Sequence, residues 1–240
     1  MNREEIYSNE NSMENFINDV NRIYNLWLDI VVLKKYQLLS ELSQILKYYM
    51  IISNLNVFLS ELEKIILDLE NDLEFIFSKD PAAISLDEIR FSYLGFHAIT
   101  IYRIANLINN NGNRFFARRL SFLSQKETAI DIHPAATILS PFAIDHGTGI
   151  VIGETTFIGR YVTLYHGVTL GALSVKRIKA GQKRHPTIEN NVTIYANSTI
   201  LGGETIIGQN SIIGCNTVIS EKILPKSIIH RQMDIFNVSV

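Results

Sequence analysis

Apolar residues in the first part of the chain recur at helical spacing: Phe16, Val20, Ile23, Leu26 and Ile30 fall on one face with polar residues between them. That pattern predicts an amphipathic helix. A second run, Leu55, Leu59, Leu62, Ile66, Leu69, Leu73 and Ile76, alternates steps of four and three. This is the spacing of a helix packing along a partner helix, within or between subunits. The helix must stop near Asp80-Pro81, because proline lacks a donor N–H and disfavours helical geometry in the residue before it. Further helices are predicted over about 86–109 and 113–125, separated by Asn109-Asn110-Asn111-Gly112.

From about residue 128 the period changes to six. Blocks such as Ile152-Gly153-Glu154-Thr155-Thr156-Phe157 and Ile213-Gly214-Cys215-Asn216-Thr217-Val218 open with a large aliphatic, usually follow it with a small residue, and place a small or β-branched residue fifth. The aliphatic fills the interior of a coil, glycine permits a tight corner, and the fifth residue packs inward beside the next corner. Block starts keep one phase from Ile152 through Ile158 and Leu164 to Leu170, and a second, shifted by one residue, from Tyr195 through Leu201, Ile207 and Ile213 to Ile219. Ile132, Ile138, Ile144 and Ile150 read as fifth positions of the first phase, so the coil starts before its first glycine-marked block. Ala172 to Lys183 breaks the period and is polar and basic; it is expected to leave the coil as an external loop, where the phase slips. Three blocks make one triangular turn of about 18 residues, hence about five turns.

Glycine usage marks the same boundary. The first 94 residues hold no glycine and one proline, whereas eleven of the thirteen glycines follow residue 130. The predicted fold class is therefore α+β. An all-α helical domain is expected over 1–127, suited to oligomerisation, and a left-handed parallel β-helix of hexapeptide repeats over 128–224, carrying the extruded loop at 172–183. A short tail, 225–240, follows.

Composition narrows the function classes. A formal net charge of -2, with no basic stripe carrying interleaved aromatics, points away from nucleic acid. The single Cys215 cannot form an internal disulfide, and Met1-Asn2-Arg3-Glu4-Glu5 is not the basic start of a secretory leader, so a cytoplasmic setting is expected. Apolar windows such as Tyr48-Tyr49-Met50-Ile51-Ile52 fall well short of the roughly 20 residues that span a bilayer, so no membrane segment is expected.

Of the six histidines, His146 stands out. It follows Asp145 and reads as the first position of its block, where a large aliphatic belongs, and function is expected where a packing rule breaks. His185 follows Arg184 at the base of the extruded loop. These residues carry a resemblance. Asp131-Ile132-His133-Pro134-Ala135-Ala136, the stretch from Asp145-His146-Gly147-Thr148-Gly149 to Glu154-Thr155, Val168-Thr169-Leu170-Gly171 and Arg184-His185-Pro186 resemble, in order, the signature of serine O-acetyltransferases. Gly95-Phe96-His97-Ala98 and Tyr102-Arg103-Ile104 upstream belong to the same likeness, which runs from about Asp80 to about Pro225.

The resemblance implies acetyl transfer from acetyl-CoA to the L-serine hydroxyl in cysteine biosynthesis, with no metal. His146 matches the family's general base and Asp131 its dyad partner. Asp80 and Asp145 match the acidic binders of serine, and Arg184 with His185 the basic ones. Backbone groups near Gly171 and Ala196 are implied to contact the coenzyme, with Lys176, Arg177, Lys179 and Lys183 near its phosphates. Such coils associate in threes, so a homotrimer or a dimer of trimers is implied, with sites formed between chains. Some relatives bind cysteine synthase, the O-acetylserine sulfhydrylase, through a C-terminal isoleucine; here the last residue is Val240. Where many relatives have paired glycines this chain has Gly171-Ala172.

Three alternatives stay beside this reading. Homoserine or another hydroxyl acceptor differs from serine by little more than a methylene. A zinc hydratase of the γ-carbonic anhydrase kind shares the coil but uses paired histidines five residues apart, and no such pair occurs here. A non-catalytic scaffold for cysteine synthase is opposed by the retained His146, Asp131, Arg184 and His185.

Overall fold

A computed structural model describes residues 10–33, 37, 39–49, 55–173 and 182–230. Lys176, Arg177 and Lys179 of the predicted loop, and residues 231–240 of the tail with Val240, lie outside the described residues. Six helices come first: α1 (Glu10–Val32), α2 (Leu39–Tyr49), α3 (Leu55–Lys79), α4 (Leu86–Ser92), α5 (Leu94–Asn110) and α6 (Arg114–Thr128). Among the described residues, no helix is long and apolar enough to cross a membrane.

On α1 the buried face is Phe16, Val20, Ile23, Trp27 and Ile30, with Leu26 only half-buried. Trp27 takes the core slot predicted for Leu26 because the larger ring fills it and its indole N–H donates to the Thr100 carbonyl at 2.8 Å. On α3 the buried stripe is Phe58, Leu62, Leu69, Leu73 and Ile76, and the helix ends at Lys79, directly before Asp80-Pro81. The helix predicted over 86–109 is two helices. Tyr93, at ψ 116, takes an extended backbone between them. The Ser85 hydroxyl caps α4 by accepting from the Glu88 N–H at 3.1 Å, and Glu88 in turn accepts from the Ile84 N–H at 2.7 Å. Helix α6 outruns its prediction to Thr128 and stops at Ala129, whose φ of 56° is left-handed.

The coil has three faces of stacked parallel strands. The first holds β1 (Asp131–Ile132), β4 (Val151–Ile152), β7 (Thr169–Gly171), β10 (Thr199–Leu201) and β13 (Val218–Ile219). The second holds β2 (Thr137–Ile138), β5 (Phe157–Ile158), β8 (Thr187–Ile188) and β11 (Ile206–Ile207). The third holds β3 (Phe142–Asp145), β6 (Val162–Tyr165), β9 (Thr193–Ile194), β12 (Ile212–Ile213) and β14 (Ile228–Ile229), the last lying within the 225–240 segment.

Buried aliphatics stack in columns along each face. Ile132, Ile152, Leu170, Ile200 and Ile219 stack on the first face, and every one is buried. Ile138, Ile158, Ile188 and Ile207 do so on the second, and Ile144, Leu164, Ile194 and Ile213 on the third. The phases therefore differ from those read off the sequence. Ile132, Ile138 and Ile144 occupy the interior block-start position, not the fifth, because the first turn spans 20 residues (Ile132 to Ile152) instead of 18. Ile150 does hold a fifth position, buried above Ile130. The extruded loop causes no slip: Leu170 and Ile188 share one phase. The one-residue slip comes later, between Ile200 and Ile207, where Gly202 adopts φ 104°.

The helices grip the coil at its first turn. Asp72 of α3 and Arg103 of α5 form a buried ion pair at 2.6 Å, and both reach the coil: the Phe142 N–H donates to Asp72 at 2.8 Å and Arg103 donates to the Ile138 carbonyl at 3.1 Å. The Tyr102 hydroxyl donates to the Ala136 carbonyl at 2.8 Å and accepts from the Ile138 N–H at 3.1 Å. Gly95 lets α5 lie against β3, since a Cβ there would stand 2.3 Å from the Ile144 carbonyl oxygen. That close approach brings the start of α5 to the site described next.

Candidate active site

The two extra residues of the first turn lie in the corner from Asp145 to Val151, between the third and first faces. His146, Gly147 and Gly149 all take positive φ there, at 58°, 85° and 80°. The Gly147 N–H closes a tight turn onto the Asp145 carbonyl at 2.7 Å, and the Gly149 N–H donates to Ala129 below at 2.9 Å. A Cβ at Gly147 would stand 2.5 Å from Ile130 Cδ1, and its φ of 85° is one that L side chains rarely adopt, so glycine suits the position on both counts. The bulged corner turns His146 outward. Its side chain is 75% exposed, and Ile144, not His146, fills the interior slot the sequence pattern had assigned to His146.

His146 borders a cleft of about 460 Å³ lined also by Asp80, Ser92, Tyr93, Leu94, Gly95 and Asp145. The Asp145 carboxylate approaches His146 Nε2 to 3.7 Å. Asp80 is held by the Tyr93 hydroxyl at 2.6 Å and the Ala82 N–H at 2.8 Å, and these donors lower its carboxyl below the usual carboxylate range. The same bond to Asp80 pushes the Tyr93 phenol up to about 12. From the turn above, the His166 ring meets His146 edge to face at 5.9 Å, and Tyr165 stacks on Tyr195 at 4.8 Å. Burial first, then the Asp145 charge, raises the Tyr165 phenol. Asp131 opens β1 just beneath the corner, opposite Val151, yet among the described residues it makes no hydrogen bond or ion pair with His146.

Arg184 and His185 lie on a different edge of the prism, between the first and second faces, where the extruded loop returns. Thr155 organises them. Its hydroxyl accepts from the N–H groups of Arg184 at 2.9 Å and His185 at 3.1 Å, and its own N–H donates to His185 Nδ1 at 3.0 Å. The Lys183 ammonium donates to the Thr155 carbonyl at 2.7 Å. Arg184 pairs with Glu154, whose other oxygen takes Arg114 of α6 at 3.0 Å. The His185 ring lies over Gly153, where a Cβ would collide with Cδ2 at 2.0 Å. Burial, and then the Arg184 charge, lowers the His185 pKa.

Two half-sites result. Asp80, Asp145 and His146 form one, acidic and holding an exposed imidazole; Arg184 and His185 form the other, and the first face of the coil separates them within the chain. Gly171 ends β7 where the loop departs, whereas Ala196 lies on the His146 edge. Tyr93, His166 and the clamp of Thr155 were not singled out from sequence. A tyrosine before a helix, or a threonine inside a repeat, carries no local signal of such a role.

His133 sits at the same edge two turns below His185, and its Nδ1 accepts from the Ala135 N–H at 3.0 Å. Burial, followed by the nearby Arg118 charge, lowers its pKa to about 4. The folded chain thus keeps His133 neutral while the unfolded chain binds a proton below about pH 6.5, so stability falls as pH drops through that window towards 4. His133→Asn, which keeps an acceptor for the Ala135 N–H, is expected to flatten the fall of Tm between pH 6.5 and 4. A variant whose Tm falls as steeply as the parent's removes His133 as the source.

No protein-family model matches the chain. A serine acetyltransferase of Helicobacter pylori is 47% identical over 128 residues, covering 53% of this chain and 72% of that protein. The plasmid-borne serine acetyltransferase of Synechococcus elongatus is 47% identical over 131 residues, and that of Bacillus subtilis 46% over 126. These matches take in 41% and 56% of the two proteins, so the chain spans about half the length of those relatives. Among solved structures, Entamoeba histolytica serine acetyltransferase 1 in complex with L-cysteine superposes with a TM-score of 0.76 at 30% identity, over 92% of this chain and 100% of that one. The Neisseria gonorrhoeae serine acetyltransferase in complex with serine gives 0.65 at 27% identity, over 88% and 95%.

Proposed function

The chain belongs to the serine acetyltransferase family, and from that premise we propose that it transfers the acetyl group of acetyl-CoA to the hydroxyl of L-serine, giving O-acetylserine and CoA. The observation that carries this reading is His146, exposed on a bulged corner beside the carboxylates of Asp80 and Asp145. A serine hydroxyl is a weak nucleophile at neutral pH and needs a positioned base. His146 takes the hydroxyl proton as the serine oxygen attacks the thioester carbonyl carbon. The tetrahedral intermediate then collapses with loss of the C–S bond, and the imidazolium returns the proton to the leaving CoA thiolate.

The substrate's own charges fit the two half-sites. Asp80, kept ionised by Tyr93 and Ala82, and Asp145 suit the serine ammonium; Arg184 and His185 suit its carboxylate. Asp131, directly below the His146 corner, is assigned to orient the imidazole once substrate is bound, and backbone groups of Gly171 and Ala196 to the acetyl-CoA arm. The single cysteine suits a cytoplasmic setting. Because cysteine shares serine's ammonium and carboxylate, it is a natural competitor for the same pocket.

Release of CoA thiol should require acetyl-CoA and serine together, and should be slower with homoserine or a sugar alcohol as acceptor. A faster rate with either of these would reassign the substrate. The separation of the half-sites supports a homotrimer as the working unit, with the His146 edge of one subunit facing the Arg184 edge of its neighbour. Co-assembling His146→Ala with Arg184→Ala subunits, each inactive alone, is then expected to restore about a quarter of the parent turnover, because random mixing leaves that share of interfaces with both halves intact. No recovery in verified mixed trimers would mean that each site lies within one chain.

A further inference from the structure

Beyond the reacting groups, a dense set of bonds at the Arg184-His185 edge centres on Thr155. Five hydrogen bonds join it to Lys183, Arg184 and His185, and one of them fixes a proton. A backbone N–H can only donate, so the bond from the Thr155 N–H to His185 Nδ1 at 3.0 Å requires an unprotonated Nδ1. The Thr155 hydroxyl lies 2.9 Å from the same nitrogen while accepting from the amides of Arg184 and His185, so its own proton is also free to point at Nδ1. His185 is therefore a neutral imidazole with its proton on Nε2.

We propose that Thr155 is a positioning residue which locks the Arg184-His185 pair and sets the His185 tautomer, so that His185 offers a neutral Nε2–H donor, not a cation, to the carboxylate of the amino acid substrate. The positive charge of the half-site then rests on Arg184 and Lys183. The surroundings agree with this division. The charged groups around His185 are Arg184, Lys183 and the Glu154 carboxylate, and Glu154 is itself shared between Arg184 and Arg114. A second cation on the His185 ring would meet two nearby like charges with the one local anion already engaged. A neutral donor also binds a carboxylate without titrating near neutrality, which an imidazolium cannot do. This proposal rests on the assignment of serine's carboxylate to this half-site.

The test joins a spectroscopic readout with kinetics. In the full chain labelled with ¹⁵N-histidine, with His185 identified by its loss in His185→Asn, the ring should give an acceptor-type Nδ1 and a protonated Nε2 at pH 7. Thr155→Val, which removes the hydroxyl but keeps the shape and the backbone N–H, is expected to raise KM for serine about 10-fold while kcat changes less than about 3-fold. Thr155→Ser should restore parent values. A doubly protonated or Nδ1-protonated His185 in the parent overturns the proposal, whatever the Val variant does. An unchanged serine KM in a folded Val variant overturns it as well. If the parent chain turns over no serine at all, the proposed function fails instead, and the histidine spectrum still decides the tautomer.

Discussion

Replacing His146 with alanine is expected to lower kcat for acetyl transfer by about 10²- to 10⁴-fold, the range associated with a positioned general base. KM for serine and acetyl-CoA should move only a few-fold, because Asp80, Asp145, Arg184 and His185 all remain. The fold should persist, since the His146 side chain is 75% exposed and fills no interior slot. Alanine does suffer at the φ of 58° that His146 adopts, by about 1 to 2 kcal/mol. His146→Asn removes the base with less backbone cost, because asparagine tolerates that conformation. Near-parent kcat in either variant would remove His146 from the chemistry.

The second large effect concerns the joint between helices and coil. Arg103→Met is expected to destabilise the chain by about 3 to 5 kcal/mol, since it strands the Asp72 carboxylate in a fully buried position. Asp72 would keep the Phe142 N–H but lose the guanidinium that offsets its desolvation. Burial already pushes the Asp72 carboxyl up against the pull of Arg103, so without the arginine protonation becomes the easiest escape. Asp72→Asn combined with Arg103→Met should recover part of the loss, because the buried charge is then gone. Urea midpoints of the parent, single and double variants decide this. A single variant as stable as the parent would show that the pair contributes nothing to holding the layers together.

Much of this architecture was legible in the sequence, and the reasons are physical. A six-residue repeat admits few structures, so three faces of stacked parallel strands followed from it. The phase was less legible. Interior and fifth positions both accept aliphatics, so Ile132, Ile138 and Ile144 fit either reading until their partners Ile152, Ile158 and Leu164 are known. The same ambiguity hid the lengthened corner and made His146 look interior. Leu26 and Trp27 are adjacent and both apolar, so spacing alone could not rank them. Tyr93 broke a helix with neither proline nor glycine to announce it. At the site, Asp80, Asp145, Arg184 and His185 were named through the family likeness. Their division between two edges was not legible, because distance along a coiled chain does not reveal which edge a residue occupies.

The lengthened corner at His146 has a broader meaning for this kind of fold. Most strands carry two or three residues, and between Asp145 and Val151 the strand register above and below is kept although the connection gains two residues. The faces act as a fixed ruler, while the corners are free text. Chemistry can be written into a corner, as a bulge that carries a base or a clamp that aims a donor, without renegotiating the stack that holds it.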